Sequence, residues 1–282
     1  MATKTYHRKS LVLIATSMCA ALYAIGAYAT AYIPSPWGFG QFRPAVVIPA
    51  FFATVFGPWP AAVGAAIGTL TADSVKQGAL HFGSLIAAVP GNFIGFYLFG
   101  YIVKRFSWSR FILASNLTLT VANLIVAFLY VFAYRWLYLS AYVNPDFTTL
   151  AFISIGLTIW WFVTMLPFVL LITPLLIRAA AMAVPSIVSE DLRTYSLRKE
   201  LPKTTFSLAM LAPGIIMLLM GLVSTTYADF GKLFSLKGAT LTAIQILFYG
   251  GGVVLSALGV MIYTGQKFLW QKPPIKGAEK KR

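Results

Sequence analysis

Eight apolar stretches, at residues 11–33, 44–56, 60–75, 82–103, 111–134, 150–177, 206–227 and 241–263, occupy most of this 282-residue chain. Stretches of this kind belong in hydrocarbon, where a backbone N–H or C=O finds no water to bond. Each must satisfy its own backbone as a helix, so the expected class is an all-α, polytopic integral membrane helical bundle. Composition removes the soluble alternative: hydrophobic residues make up 59% of the chain, charged residues 10%, and the mean hydropathy is +0.79. A net charge of +15 would suit nucleic acid, but the basic residues fall in short turns between apolar runs rather than in a patch. No nucleic-acid partner is expected; membrane lipid is.

Two of the stretches are short. Residues 44–56 number 13 and residues 60–75 number 16, so as helices they reach ~20 and ~24 Å at about 1.5 Å per residue. A hydrocarbon core is about 30 Å thick. The two are hinged on Gly57, Pro58, Trp59 and Pro60. Short, Pro- and Gly-interrupted membrane segments point to a transporter's binding site. The uncharged hinge leaves open whether 44–75 crosses the membrane twice or enters and returns from one side.

With eight segments, both termini lie on one side. Seventeen of the 22 Lys and Arg residues fall on that side and five on the other, which puts both termini in the cytoplasm of a cell-membrane protein. The basic start and Ala27-Tyr28-Ala29 resemble a secretory leader, but an apolar run of about 22 residues is long for one, so the first segment is expected to stay as a span. A charged linker at 185–205 separates a membrane core at 1–184 from a two-helix hairpin at 206–264, and a basic cytoplasmic tail at 265–282 follows.

Several chemistries are missing. There is no G-x-x-x-x-G-K-[ST], no H-E-x-x-H and no G-x-S-x-G, so the chain is not expected to hydrolyse ATP or to act as an enzyme. The single cysteine, Cys19, excludes an internal disulfide and a thiolate metal site; no cofactor or metal is expected. Of seven carboxylates, Asp73 alone reads as lying at membrane depth, poor material for a proton relay.

Polar and aromatic residues inside apolar runs are the candidate binding groups. Asp73 ends the third stretch, followed by Lys76, Gln77 and His81 in the next turn. It either pairs with Lys76 or meets a ligand between helices. Arg43 precedes Pro44 and would balance an acidic ligand group or sit at the headgroups. Asn92, Asn123 and the pair Trp160 and Trp161 fall near mid-membrane. Adjacent tryptophans point about 100° apart on a helix, so one of them, Trp161, is expected to face inward. Trp37, in the Gly- and Pro-rich loop 34–41, suits a lid. On the first helix Thr16, Ala20, Ala24, Ala27 and Ala31 make a narrow small-residue face that admits a neighbouring helix, either internal or a separate subunit.

Taken in order, these segments resemble the substrate-binding S components of energy-coupling factor (ECF) vitamin transporters over residues 11 to about 180. The similarity rests on "ATSMCAALYAIGA" in the first helix, on "FGPWPAAVGAAIGTLTAD", which is similar to that family's FGP…G…G…D stretch, and on "PGNFIGFYLFGYIV". The resemblance implies a six-helix core that holds a vitamin-like small molecule near the outer face. It also implies a transmembrane coupling subunit and two ATPase subunits as partners, with Ala20, Ala24 and Ala27 at the docking position. Two C-terminal helices go beyond the family's six. The expected function is substrate capture for ATP-driven uptake; a stand-alone secondary carrier and a structural subunit of a membrane complex are the alternatives.

Overall fold

The computed structural model describes residues 2–35, 38, 40–142, 147–194, 202–227, 230 and 238–265. Among these the chain is all helical, with helix α1 (Ala2–Ala29), a single 3-10 turn (Pro44–Val46) leading into α2 (Val47–Phe56), α3 (Pro58–Gln77), α4 (Val89–Ile102), α5 (Trp108–Phe128), α6 (Phe147–Ala183), a short α7 (Glu190–Thr194) in the linker, α8 (Lys203–Thr226) and α9 (Gly238–Thr264). Two π-helical segments adjoin them: Ser84–Ala88 opens α4 and Leu129–Tyr138 extends α5. Six helices are long and apolar enough to cross a membrane, and the shorter apolar Pro44–Phe56 accompanies them. The C-terminal tail and residues 195–201 lie outside the described residues.

α2 is the centre of the core. α1, α3, α4, α5 and α6 follow one another around it, and α2 touches α1, α3, α4 and α6. The α1/α3 contact is close because α3 offers no side chains there: a Cβ at Gly64 would lie 2.5 Å from the Cys19 Cβ, and one at Gly68 2.8 Å from the Ala20 carbonyl oxygen. Lipid gives helices little hydrophobic reason to associate, so such close approach is how they gain contact.

The hinge corrects one expectation. α3 starts at Pro58 and ends at Gln77, 20 residues or about 30 Å, so it is long enough to cross; α2, at 10 residues, is the short member. Pro58 is tolerated at the first helical position because its missing N–H has no intrahelical acceptor there. Gly57, with φ 92°, takes the reversal that a side chain would resist. The hinge also reaches the full depth of its neighbour. At one end Asp73 of α3 meets Ser84 at the start of the α4 span. At the other, Gly57 and Pro58 lie against Gly100 near its finish, where a Cβ would be 2.5 Å from the Pro58 Cα. α3 therefore runs the length of α4, and α2 is the leg that falls short.

The C-terminal helices pair chiefly with each other, and α8 leans on α5 and α6. Ser207 Oγ donates to the Gly259 carbonyl at 2.7 Å, and Gln245 Nε2 donates to the Ser224 carbonyl at 2.9 Å.

A polar hollow above a short central helix

Because α2 is short, the axis of the ring is unfilled at the end where α2 begins. Two things occupy that space. One is the loop from α1 to α2, which folds back into the bundle: Phe42 N donates to the Ile33 carbonyl at 2.8 Å and Ser35 N to the Gly40 carbonyl at 2.9 Å. Trp161 Nε1 then donates to the Gln41 carbonyl at 3.0 Å, and the Phe42 ring meets Phe168 edge-on at 5.5 Å. Gly40 has φ 76°, and a Cβ there would sit 2.7 Å from the Trp161 ring, so this position needs both glycine's backbone and its lack of a side chain.

The other occupant is a cavity of about 80 Å³, walled by α1, α3, α4, α5, α6, the loop and the 3-10 turn that leads into α2. That is room for several waters or a small solute without rearrangement. Tyr23, Arg43, Thr69, Asp73, Ser84, Asn92, Asn123 and Trp161 contribute to its wall, with Val46, Phe96, Leu119 and Met165 between them.

The polar part of the wall is a closed network. Arg43 and Asp73 form an ion pair, their side chains 11% and 8% exposed. Arg43 also donates to Thr69 Oγ1 at 2.5 Å and to Gln41 Oε1 at 3.1 Å, while Ser84 Oγ donates to the second Asp73 oxygen at 2.7 Å. Charges this far from water persist when paired and hydrogen-bonded. Beside the network Tyr23 Oη donates to Asn92 Oδ1 at 3.4 Å, and Asn92 Nδ2 to the Ala88 carbonyl at 2.8 Å. At the rim, Ser84 N donates to His81 Nδ1 at 3.1 Å. Burial pulls the His81 imidazole below its usual range, against the attraction of Asp73 and with Arg43 and Lys76 adding to the shift. The two π-helical segments meet here, with the Tyr134 ring 5.8 Å from His81; π-wound turns recur at functional sites.

Six of the residues picked out in the sequence therefore border one hollow: Arg43, Asp73, His81, Asn92, Asn123 and Trp161. Three details differ from expectation. Asp73 pairs with Arg43, not Lys76, because the hairpin returns its own two ends to one place. Lys76 instead donates to the Ala31 carbonyl at 2.5 Å and lies over the Tyr32 ring. Both tryptophans are buried, Trp160 at 2% and Trp161 at 7% exposed, since α6 has α2 and α5 against it and α8 as well. Gln77 is exposed, one turn beyond Asp73 and away from the hollow. Trp37 lies outside the described residues.

On the small face of α1, Ala27 is fully buried and Ala20 and Ala24 are 9% exposed. α3 approaches that helix at Cys19, the Ala20 carbonyl and Tyr23 through Gly64 and Gly68, which fits the internal-packing alternative for Ala20.

Sequence reasoning missed Tyr23, Gln41, Thr69 and Ser84. Thr69 sits one turn before Asp73 on the same helix face, a spacing that marks it in retrospect; the others carry no such signal. Comparison of this chain with family models, curated proteins and solved structures returned no match.

Proposed function

We propose that this chain is the membrane-embedded capture subunit of an uptake transporter for a vitamin-like small molecule, with ATP hydrolysis supplied by partner subunits. The observation that carries the reading is the hollow above α2, a polar-walled space at one end of an apolar helical bundle, built around a buried ion pair. Polar groups at such depth are expensive and tend to serve a solute path or site, and sites in helical membrane proteins lie where a helix is cut short. The resemblance of 15–27 and 56–73 to ECF S components supports the same reading, as does the lack of an ATP-binding motif in the chain itself.

In this reading the hollow opens outward and both termini face the cytoplasm of the cell, since Lys9, Lys104, Arg105, Arg110 and Arg178 fall at the hinge end. A transmembrane coupling subunit is its partner in the membrane. Reconstituted alone in lipid vesicles, the chain retains a small molecule, detected by mass spectrometry of what co-purifies with it, yet does not accumulate that molecule against a gradient. Uphill accumulation by the lone chain would overturn the capture-subunit reading in favour of a self-sufficient carrier.

A further inference from the structure

We infer that the hollow takes an uncharged solute, neither ionised nor zwitterionic, that presents a hydrogen-bond acceptor to Asn123. This rests on the capture reading of the same hollow and specifies its chemistry. Two observations carry it independently.

The first is charge. Among the described residues lining the hollow, the ionised groups are Arg43 and Asp73, and they are paired with each other. Arg43 is held by Asp73, Thr69 and Gln41, and the second Asp73 oxygen by Ser84. The pair is neutral as a unit, so a carboxylate or phosphate entering this space sets a second negative charge beside the buried Asp73, and an incoming cation sets a second positive charge beside Arg43. A buried charge with no partner of its own is strongly unfavourable. His81 at the rim adds no third charge near neutral pH: burial disfavours its charged form, and its Nδ1 faces the Ser84 N–H, which it shares with the His81 carbonyl. An uncharged solute leaves every one of these bonds in place.

The second is a donor left over. Asn123 is 6% exposed, borders the hollow, and its buried Nδ2 has no hydrogen-bond partner among the described residues. A covered amide N–H without an acceptor carries an uncompensated desolvation cost. A turn of the amide toward a carbonyl or pyridine-type nitrogen in the hollow relieves it. Of the other wall amides, Asn92 bonds Ala88 and Tyr23 and Gln41 gives its Oε1 to Arg43, so Asn123, whose buried nitrogen has no partner among the described residues, is the group that selects.

The test uses the full chain in lipid nanodiscs and four probes of nearly one shape: nicotinamide (uncharged), nicotinate (anion), 1-methylnicotinamide (cation) and trigonelline (zwitterion). Binding is read by titration calorimetry and saturation-transfer NMR. Nicotinamide is expected to bind at least about 10-fold tighter than each charged probe. Asn123→Leu should weaken nicotinamide by about 5–10-fold, the scale of one hydrogen bond, and leave the charged probes as they were. Asn123→Ala repeats the measurement with a smaller side chain should the leucine variant not fold. A charged probe that equals nicotinamide, or a nicotinamide affinity indifferent to both Asn123 variants, overturns the inference while leaving solute capture standing. If no probe binds, native mass spectrometry of the purified chain decides. A retained uncharged molecule supports the inference, a retained charged one overturns it, and an empty hollow removes the capture reading and this inference together.

Discussion

At the hinge end of the α2/α3 hairpin, backbone meets backbone: Gly100 of α4 leaves no room for even a methyl group beside Pro58. At the other end of the same hairpin, some 15 residues of helix away, the space between helices is held open by a hydrogen-bonded ion pair and a loop. One end is closed by removing side chains and the other is filled by polar ones. The cause is a mismatch of length, since α2 has 10 residues and α3 has 20. Helices of unequal length that share a hinge must differ in what they bury at the far end, and here that end buries a charge pair that is stable only because it is paired and hydrogen-bonded.

That contrast can be tested at both ends. Cys19 is buried, unpaired and the single cysteine, so a maleimide dye that reacts with it during heating reports unfolding. The largest effect is expected at the polar end: Asp73→Ala strands the Arg43 charge and should destabilise the chain by about 3–5 kcal/mol. Adding Arg43→Gln to it should recover part of that loss. A small effect of Asp73→Ala would mean the network does not hold the hollow together.

Next comes the closed end, where Gly100→Val forces Pro58 or α4 to move and should cost about 1–3 kcal/mol while leaving solute binding unchanged in whatever protein still folds. A binding loss equal to the stability loss would break the separation of the two ends.

Asn123→Leu should go the other way, raising the stability of the solute-free chain by about 1 kcal/mol through removal of a buried donor that has no partner. A stability loss there would show that Asn123 already has an acceptor in solution.

The smallest effect concerns pH. The His81 imidazole is held below its usual value of 6.5, so as pH falls through 6.5 the unfolded chain gains a proton that the folded chain resists. Stability is therefore full above pH 6.5 and declines below it until the folded imidazole also protonates. Comparing wild type with His81→Gln at pH 7.5 and 5.5 isolates this contribution, and His81→Gln should flatten the slope.

The helices were legible because an apolar run in a membrane has one way to satisfy its backbone. The short stretch 44–56 coincides with the 3-10 turn plus α2. The start of α3 was placed two residues late, at Pro60, because two prolines two residues apart leave the first helical position ambiguous by pattern. The charged and amide members of the site stood out for the same reason as the helices: Arg43, Asp73, Asn92 and Asn123 are costly where they are. Their partners were hidden. Ser84 and Thr69 look like any hydroxyl that bonds its own helix, and Tyr23 looks apolar, so their roles depend on which helices are neighbours. The pairing of Arg43 with Asp73 was in principle readable, since a hairpin of two antiparallel helices brings its ends together. The small residues of α1 showed that a helix would pack there but not which one; Gly64 and Gly68 on α3, against Cys19, the Ala20 carbonyl and Tyr23, decided that.

One consequence follows from the loop pinned to Trp161. Most of the hollow's wall is helix, braced by its neighbours, whereas Phe42 and Gln41 are held by single hydrogen bonds to Ile33 and Trp161. Under the capture reading, a guest larger than the hollow therefore meets least resistance at Gln41 and Phe42, and weakening the Trp161–Gln41 bond, rather than changing side chains on the spans, is the natural way to retune the range.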